Sequence, residues 1–473
     1  MRRGRAPVLV VLALLLVAGG LADRAGRDAP GVDATPVLGP RAPAASATSS
    51  TWFCTGAHAR LDGQAVGTVV VANLAASELT GTVTVVPDDG TPREVAIRVP
   101  APGRVSVRLA DVLTADNASA LVELNGGAAV AEMVTIGPQG DSVTPCASSS
   151  SDTWYFAEGA TTIDATEVLM VFNPFPEDAL VDMSFATETG HVVPQGLTGL
   201  VVEGRGMRAI AVGDAVRREA VVSTTVTSRV GRLVVARLQL FDGTGSIPRR
   251  GVALTLGAPA TSPSWYFPEG YVSDGVTERI QVYNPTTRES RIEIDVLLDQ
   301  GEADPVELTI PPRNRVSFVA NDEPRIPKNL GHAAIVRTVN GVDVVAERTV
   351  EALPPSSLTG LSITLGATQP AQRWALAAGE PDVMVAEYVT VLNPGGAAAN
   401  VTITALPDGE RVVPPQLRRL RVAARGRAVI RVGDYVTRPV PALEVRATGA
   451  VVVERDLYRT TAAGRAMAMG IPA

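Results

Sequence analysis

Of the 473 residues in this chain only two are cysteine and three histidine, the types that most readily do chemistry near neutral pH. The two cysteines, Cys54 and Cys146, stand far beyond the Cys-x-x-Cys spacing of a redox pair, so the bond they offer is a structural disulfide. The three histidines, His58, His191 and His332, are scattered at unrelated positions. No Gly-x-Ser-x-Gly, His-Glu-x-x-His or phosphate-cradling glycine loop accompanies them. Glu158 and Glu269 sit near strand-ending asparagines as cation ligands would, yet Ala378 takes their place further on. No run alternates acids towards a closing glutamate as a calcium loop does. Asp88 and Asp89 fall in a turn, where solvated carboxylates are the ordinary case. No catalytic residue, metal or cofactor is therefore expected. A carboxylate pair assembled only by the fold leaves no short signature, which keeps glycan or peptide hydrolysis as a third reading.

The residues that do recur are structural types. Trp265-Tyr-Phe-Pro-Glu-Gly270 is followed by Ile280-Gln-Val-Tyr-Asn-Pro285, and the pair has counterparts at Trp154 with Asn173, Trp374 with Asn393, and Trp52 with Asn73. The Trp-to-Asn spacing is 21 residues in the first copy and 19 in the others. Copies begin 102, 111 and 109 residues apart, a period that fits repeated domains rather than a solenoid. Trp52, Trp154, Trp265 and Trp374 are all the tryptophans of the protein, and a fixed place beside valine-rich strands marks them as core plugs rather than sugar platforms. Asn73, Asn173, Asn284 and Asn393 end strands, where an asparagine caps a turn. Arg104, Arg208, Arg315 and Arg427 each open an alternating strand. Their guanidinium groups are expected over their own domains, on strand-end carbonyls or acids. Glu132, Glu347 and Glu454 are candidate partners, with Arg237 read in that place in the second copy.

Elements that would position these residues follow from turn chemistry. Period-two alternation, as in Arg291–Leu298, marks half-buried strands. Turns fall at matching offsets: Asp88-Asp-Gly90, Glu188-Thr-Gly190, Asp299-Gln-Gly301 and Asp408-Gly409. Seven or eight short strands per copy predict an all-β protein of four tandem immunoglobulin- or fibronectin-like β-sandwich repeats, a barrel being the alternative. The expected bounds are 52–147, 152–259, 263–367 and 372–473. Short polar links between them predict beads on a semi-rigid string.

Arg2, Arg3 and Arg5 precede the apolar run 7–22, an export signal that is either cleaved or kept as a membrane anchor. Residues 23–51, rich in Ala, Pro, Ser and Thr, read as a flexible tether. The net charge is −7 and Lys328 is the single lysine, so a nucleic-acid partner is not expected. Arginine in place of lysine reflects a GC-rich genome.

The Trp-Tyr-Phe-x-Glu-Gly and Asn-Pro cassettes behind one export segment resemble a family of envelope proteins from GC-rich Gram-positive, actinobacterial bacteria. That family is catalogued only as a domain of unknown function. The resemblance spans Trp52 to Ala473; the first copy departs from it, with Leu74 after Asn73 and Cys54 in place of phenylalanine. It implies a place in the cell envelope and no reaction. Together these readings describe an exported, extracytoplasmic, non-enzymatic scaffold or interaction module whose partners are envelope proteins, held to the membrane through residues 7–22. A binder of cell-wall polysaccharide or peptidoglycan is the second reading.

Overall fold

The computed structural model describes residues 38–473 except 302, 380–384, 437–438 and 460–462. The export segment and residues 23–37 of the tether lie outside the described residues.

The chain is built almost wholly from antiparallel β-strands, and the third stretch shows the plan. One sheet orders its strands Ser264–Tyr271, Gly331–Thr338, Ser290–Leu298, Val306–Ile310. The other runs Asn314–Val319, Val276–Asn284, Val345–Ala352, Gly360–Leu365. Alternation sends Ile292, Ile294 and Val296 inward and leaves Arg291 in solvent. Together with Trp265 of the same sheet they meet Ile280 and Val282 across the gap in one core, as two sheets of a sandwich do. The second stretch repeats this plan in two sheets. In the first, a parallel bridge between His58 and Val66 joins the sheets. In the fourth they are joined by the 18-residue strand Ala442–Arg459, which takes part in both. The hairpin glycines Gly90, Gly190, Gly301 and Gly409 adopt φ of 112°, 123°, 90° and 81°, a region costly for any residue with a Cβ.

Beads on a string is the wrong picture for this body. Residues 38–473 form one compact unit whose cores run across the boundaries between stretches. One core joins Val69 and Val122 of the first stretch to Met170 and Leu254 of the second and to Ala375 and Ile471 of the fourth. Another joins the third to the fourth. The last strands of the stretches, Gly140–Pro145, Arg250–Leu256, Gly360–Leu365 and Arg465–Met469, touch in cyclic order, the fourth returning to the first. Hydroxyls stitch them: Ser142 Oγ donates to the Leu254 carbonyl (3.3 Å), Thr255 Oγ1 to Ile363 (3.0 Å) and Thr364 Oγ1 to Met467 (3.0 Å). Arg459 closes the cycle on Asp141, with Nη2 at 3.0 Å from Oδ1. Short links alone would allow a string. Apolar surface left on the flank of each sandwich makes the closed arrangement the one that removes it from water.

Part of the expected tether is also bound. Thr368 Oγ1 donates to the Leu38 carbonyl (3.0 Å), Arg41 N–H to Ser148 Oγ (3.0 Å) and Ala42 N–H to the Pro472 carbonyl (2.8 Å). The first strand, Ser50–Ala59, begins inside the stretch read as linker.

Cys54 and Cys146 are bonded and buried. Their counterparts explain the position. Cys146 N–H bonds the Ala131 carbonyl just as Gly257, Gly366 and Gly470 N–H bond Val235, Ala346 and Val453. A Cβ added at Gly257 or Gly366 would lie 2.7 or 2.8 Å from the Phe156 or Phe267 ring. The disulfide thus stands where the second and third stretches pack a phenylalanine on a glycine and the fourth packs Leu376 on Gly470. Closing a loop with a separation of 92 residues contributes about 4–5 kcal/mol in the chain-entropy model. Non-reducing mass measurement should find both thiols blocked, and reduction should lower the melting midpoint of the whole body in one transition. Free thiols in exported protein, or a melt in which only the first stretch responds, would count against this account.

Candidate functional site

The tryptophans are buried, and three of them anchor by Nε1 to a carbonyl of the penultimate strand or its approach: Trp154 to Leu233 (3.0 Å), Trp265 to Val344 (2.9 Å) and Trp374 to Val451 (2.9 Å). Trp52 is buried with no partner for Nε1 among the described residues. The asparagines form one device four times. Each Nδ2 donates to the carbonyl four residues on (Ser77, Glu177, Arg288, Ala397) and to a second strand end (Val99, Val202, Ile310, Val422). Each Oδ1 accepts the N–H two residues on. Asn73, Asn173, Asn284 and Asn393 therefore clamp a corner.

The repeated arginines depart from expectation. Only Arg208 stays on its own stretch, giving Nη1 to Val201 (3.1 Å). Arg315 crosses to the Val221 carbonyl of the second stretch (2.9 Å), and Arg104 crosses to Ala377 of the fourth (3.4 Å). Arg427 reaches into the third stretch, to Glu269 (2.5 Å) and Asp299 (2.7 Å). Arg104, Arg315 and Arg427 therefore join neighbours, since the fold brings strand ends of adjacent stretches together.

A second arginine set is stronger, and the sequence reading had it one residue out of register. Arg237, Arg348 and Arg455 lie opposite Leu169, Ile280 and Val389, each four residues before the clamp asparagine. They are one position, and Met133, opposite Val69, is its counterpart in the first stretch. The acids Glu132, Glu347 and Glu454 occupy the place before it, where the second stretch has Ala236. Each arginine donates to a carbonyl of its own tryptophan cassette (Glu158, Glu269, Ala378) and to the acid of the next stretch. The pairs are Arg237 with Glu347 (2.9 Å), Arg348 with Glu454, and Arg455 with Glu132 (2.7 Å), all fully buried. Each acid also accepts backbone N–H groups of the neighbouring cassette: Glu347 from Ala157 and Glu158, Glu454 from Glu269, Glu132 from Ala378. Three seams carry this relay. At the fourth, between the first and second stretches, Met133 and Ala236 replace both charges together.

The seam between the third and fourth stretches holds the densest set of titratable groups. Burial favours the neutral Glu278 carboxyl, but His332, 3.1 Å away, and Arg348 outweigh it and hold the carboxyl below its usual range. Burial, reinforced by Glu454 and Glu269, pushes Asp456 well above its usual range. Beside them opens a cleft of about 510 Å³ lined by Glu269, Tyr271, Asn329, Ser357, Tyr458 and Arg465, among others. The three histidines do not meet: His58 and His191 lie in the first and second stretches, His332 in the third.

A model described as a family of unknown function, DUF5719, matches residues 116–319. No curated protein matches the chain. Among solved structures it is similar to Thermotoga maritima 1070, at 21% identity and a TM-score of 0.21, over 22% of this chain and 93% of that one. It is also similar to the Anabaena sensory rhodopsin transducer, at 22% identity and a TM-score of 0.17, over 19% and 83%. A tetra-tandem repeat from the extending region of a large adhesion protein aligns at 13% identity and a TM-score of 0.11, over 90% and 100%.

Two predictions follow from the seams. Arg348→Met alone leaves Glu454 buried and unpaired and should cost about 3–5 kcal/mol in denaturant melts. Adding Glu454→Ala copies the Met133 and Ala236 seam and should recover more than half of that loss; a double variant as unstable as the single one would refute the relay. Glu167 supplies the other. Burial, aided by Glu158 and Glu347 against Arg237, pushes its carboxyl up to about 8. The folded protein then keeps a proton that the unfolded chain gives up above the ordinary carboxylate range near 4.3, so stability falls as pH rises from that range to about 8. Glu167→Gln should therefore gain on the parent protein between about pH 5 and pH 8. A difference that does not vary with pH would contradict this.

Proposed function

We propose that the protein is a non-enzymatic interaction module of the cell envelope, exported and held at the membrane through residues 7–22. The observation that carries this reading is where its charged residues are spent. The buried acids of the relay face arginines of the neighbouring stretch and backbone N–H groups, not a substrate space. Such groups hold a rigid body together, and a rigid body is what a scaffold or spacer offers to envelope partners. The buried disulfide supports an oxidising, extracytoplasmic setting. The cleft between the third and fourth stretches favours the second reading, a binder of cell-wall polymer, because it is a polar recess of small-molecule size. Hydrolysis has less support, since Glu269, the acid of the relay seam that lines this cleft, is engaged by Arg427 and Thr390.

Crosslinking in the native envelope followed by partner identification tests the role. Envelope proteins recovered with the chain are the expected result, and wall polymer alone would favour the second reading. Protease added to wall-stripped cells should degrade the body, whereas protection behind an intact membrane would overturn the topology.

A further inference from the structure

The cleft has a counterpart at the preceding seam, and the comparison shows what is unusual about it. Between the second and third stretches, Ala160, Phe241, Ala253, Leu361 and Ile363 form a small apolar cluster that seals the space. Ala160 stands six residues after Trp154, as Tyr271 stands six after Trp265. Leu361 lies opposite Glu351, and Arg465 lies opposite Tyr458, each three residues beyond the relay arginine. The alanine and leucine that close one seam are thus a tyrosine and an arginine at the next, where the wall stays open.

Arg465 is not explained by the relay. It is 5% exposed and lines the cleft. Its Nη2 donates to Tyr458 Oη at 3.2 Å and its guanidinium lies 4.9 Å from the Tyr458 ring centre, while Nε has no partner among the described residues. Among the described residues no carboxylate stands within ion-pair distance of it. Burying an uncompensated guanidinium is costly, and the deficit would be removed by an anion with planar oxygens, which suits the guanidinium fork. Burial, with Glu454 and Glu269, pushes the carboxyl of the nearby Asp456 well above its usual range, which weakens it as a counter-charge. The polar lining is otherwise hydroxyl-rich: Tyr271, Ser273, Ser356, Ser357 and Tyr458, with the Asn329 amide, one edge of Glu269, and Asp274, which Lys328 pairs at 2.8 Å. A volume of about 510 Å³ is within the roughly 300–1,000 Å³ usual for small-molecule sites.

We propose that this cleft binds an acidic saccharide, its carboxylate on Arg465 and its hydroxyls on the serine, tyrosine and asparagine groups around it. The ring of Tyr271 gives a sugar apolar surface, and the hydroxyl array distinguishes it from a bare anion. The site stands on its own geometry and does not depend on the envelope role: purified protein can bind such a sugar wherever the chain resides.

The test is calorimetric titration of the full chain in detergent micelles with a galacturonate oligosaccharide, its neutral galactose counterpart, and inorganic phosphate. The acidic oligosaccharide should bind at least tenfold more tightly than the neutral one, with phosphate weaker than both. Arg465→Met should weaken acidic-sugar binding tenfold or more. Ser357→Trp, which fills the mouth from an exposed loop and leaves the buried network alone, should do the same if Arg465→Met fails to fold. Equal binding of the neutral sugar, unchanged binding in Ser357→Trp, no binding of the acidic sugar, or binding of phosphate alone would each overturn the proposal.

Discussion

A guanidinium with no exposure to water depends on its neighbours for its hydrogen bonds. In this protein the Nη bonds are divided between its own stretch and the next, the Nε atoms having no partner among the described residues. Arg237, Arg348 and Arg455 each hold a carbonyl of their own cassette with one nitrogen and a foreign glutamate with another. No such stretch is complete alone, because separation would strand two buried charges or force them into water. Measured costs for breaking such pairs, about 3–5 kcal/mol, are a large fraction of a domain's stability. Open repeat arrays manage their end surfaces with special caps. Here Glu132 of the first stretch receives the arginine of the last, so the relay ends on itself.

The exceptional seam shows that the relay is a unit. Where the first stretch meets the second, the change from charge to hydrocarbon is made on both sides. Met133 and Ala236 remove the ion pair. Gly56 replaces the cassette glutamate, and Met170 packs on it so closely that an added Cβ would lie 2.4 Å from its Cγ. At the third seam the equivalent residues are Glu269 and Thr390, which bond to each other at 3.0 Å. Changing any one of these alone would leave a buried donor, a buried charge or a hole, which is why the differences occur together. The disulfide in the same stretch belongs to this pattern. It replaces the phenylalanine over which Arg237 and Arg348 lie in the later stretches, at 5.3 and 5.7 Å from the ring centres.

Much of the fold was legible because strands and turns are local. Alternation in Arg291–Leu298, the hairpin glycines and the spacing from tryptophan to asparagine all act within a few tens of residues. The cysteine pair was legible because there was only one way to pair it. The seams were not, for two physical reasons. Relay partners lie 110, 106 and 323 residues apart, and nothing in a repeated sequence says which copy answers which. The alternating return strands also look alike when shifted by one. Val-Ala-Arg-Leu238 and Val-Ala-Glu-Arg348 align by their first two residues, whereas the ladder aligns Arg237 with Arg348 and turns an apparent substitution into an identity. Arg104, Arg315 and Arg427 were recognised as structural, but that they reach to neighbours rather than home follows only from closure.

Closure also fixes how the segment before the first strand is held. The described chain enters at Leu38 against Thr368, passes Ser148 at Arg41, and bonds the Pro472 carbonyl at Ala42 before its first strand begins. Pro43 then accepts from Ala128 N–H (3.0 Å) in the first stretch. Within five residues the segment therefore touches the link after the third stretch, the link after the first, and the end of the fourth. Its backbone bonds at Ala42 and Pro43 tie the segment to both the fourth stretch and the first. Behind those bonds stand Arg455 with Glu132 and Arg459 with Asp141, the ion pairs of that same seam. In a string of beads such a segment would meet one bead; in this closed body it is bound by the last stretch as well as the first.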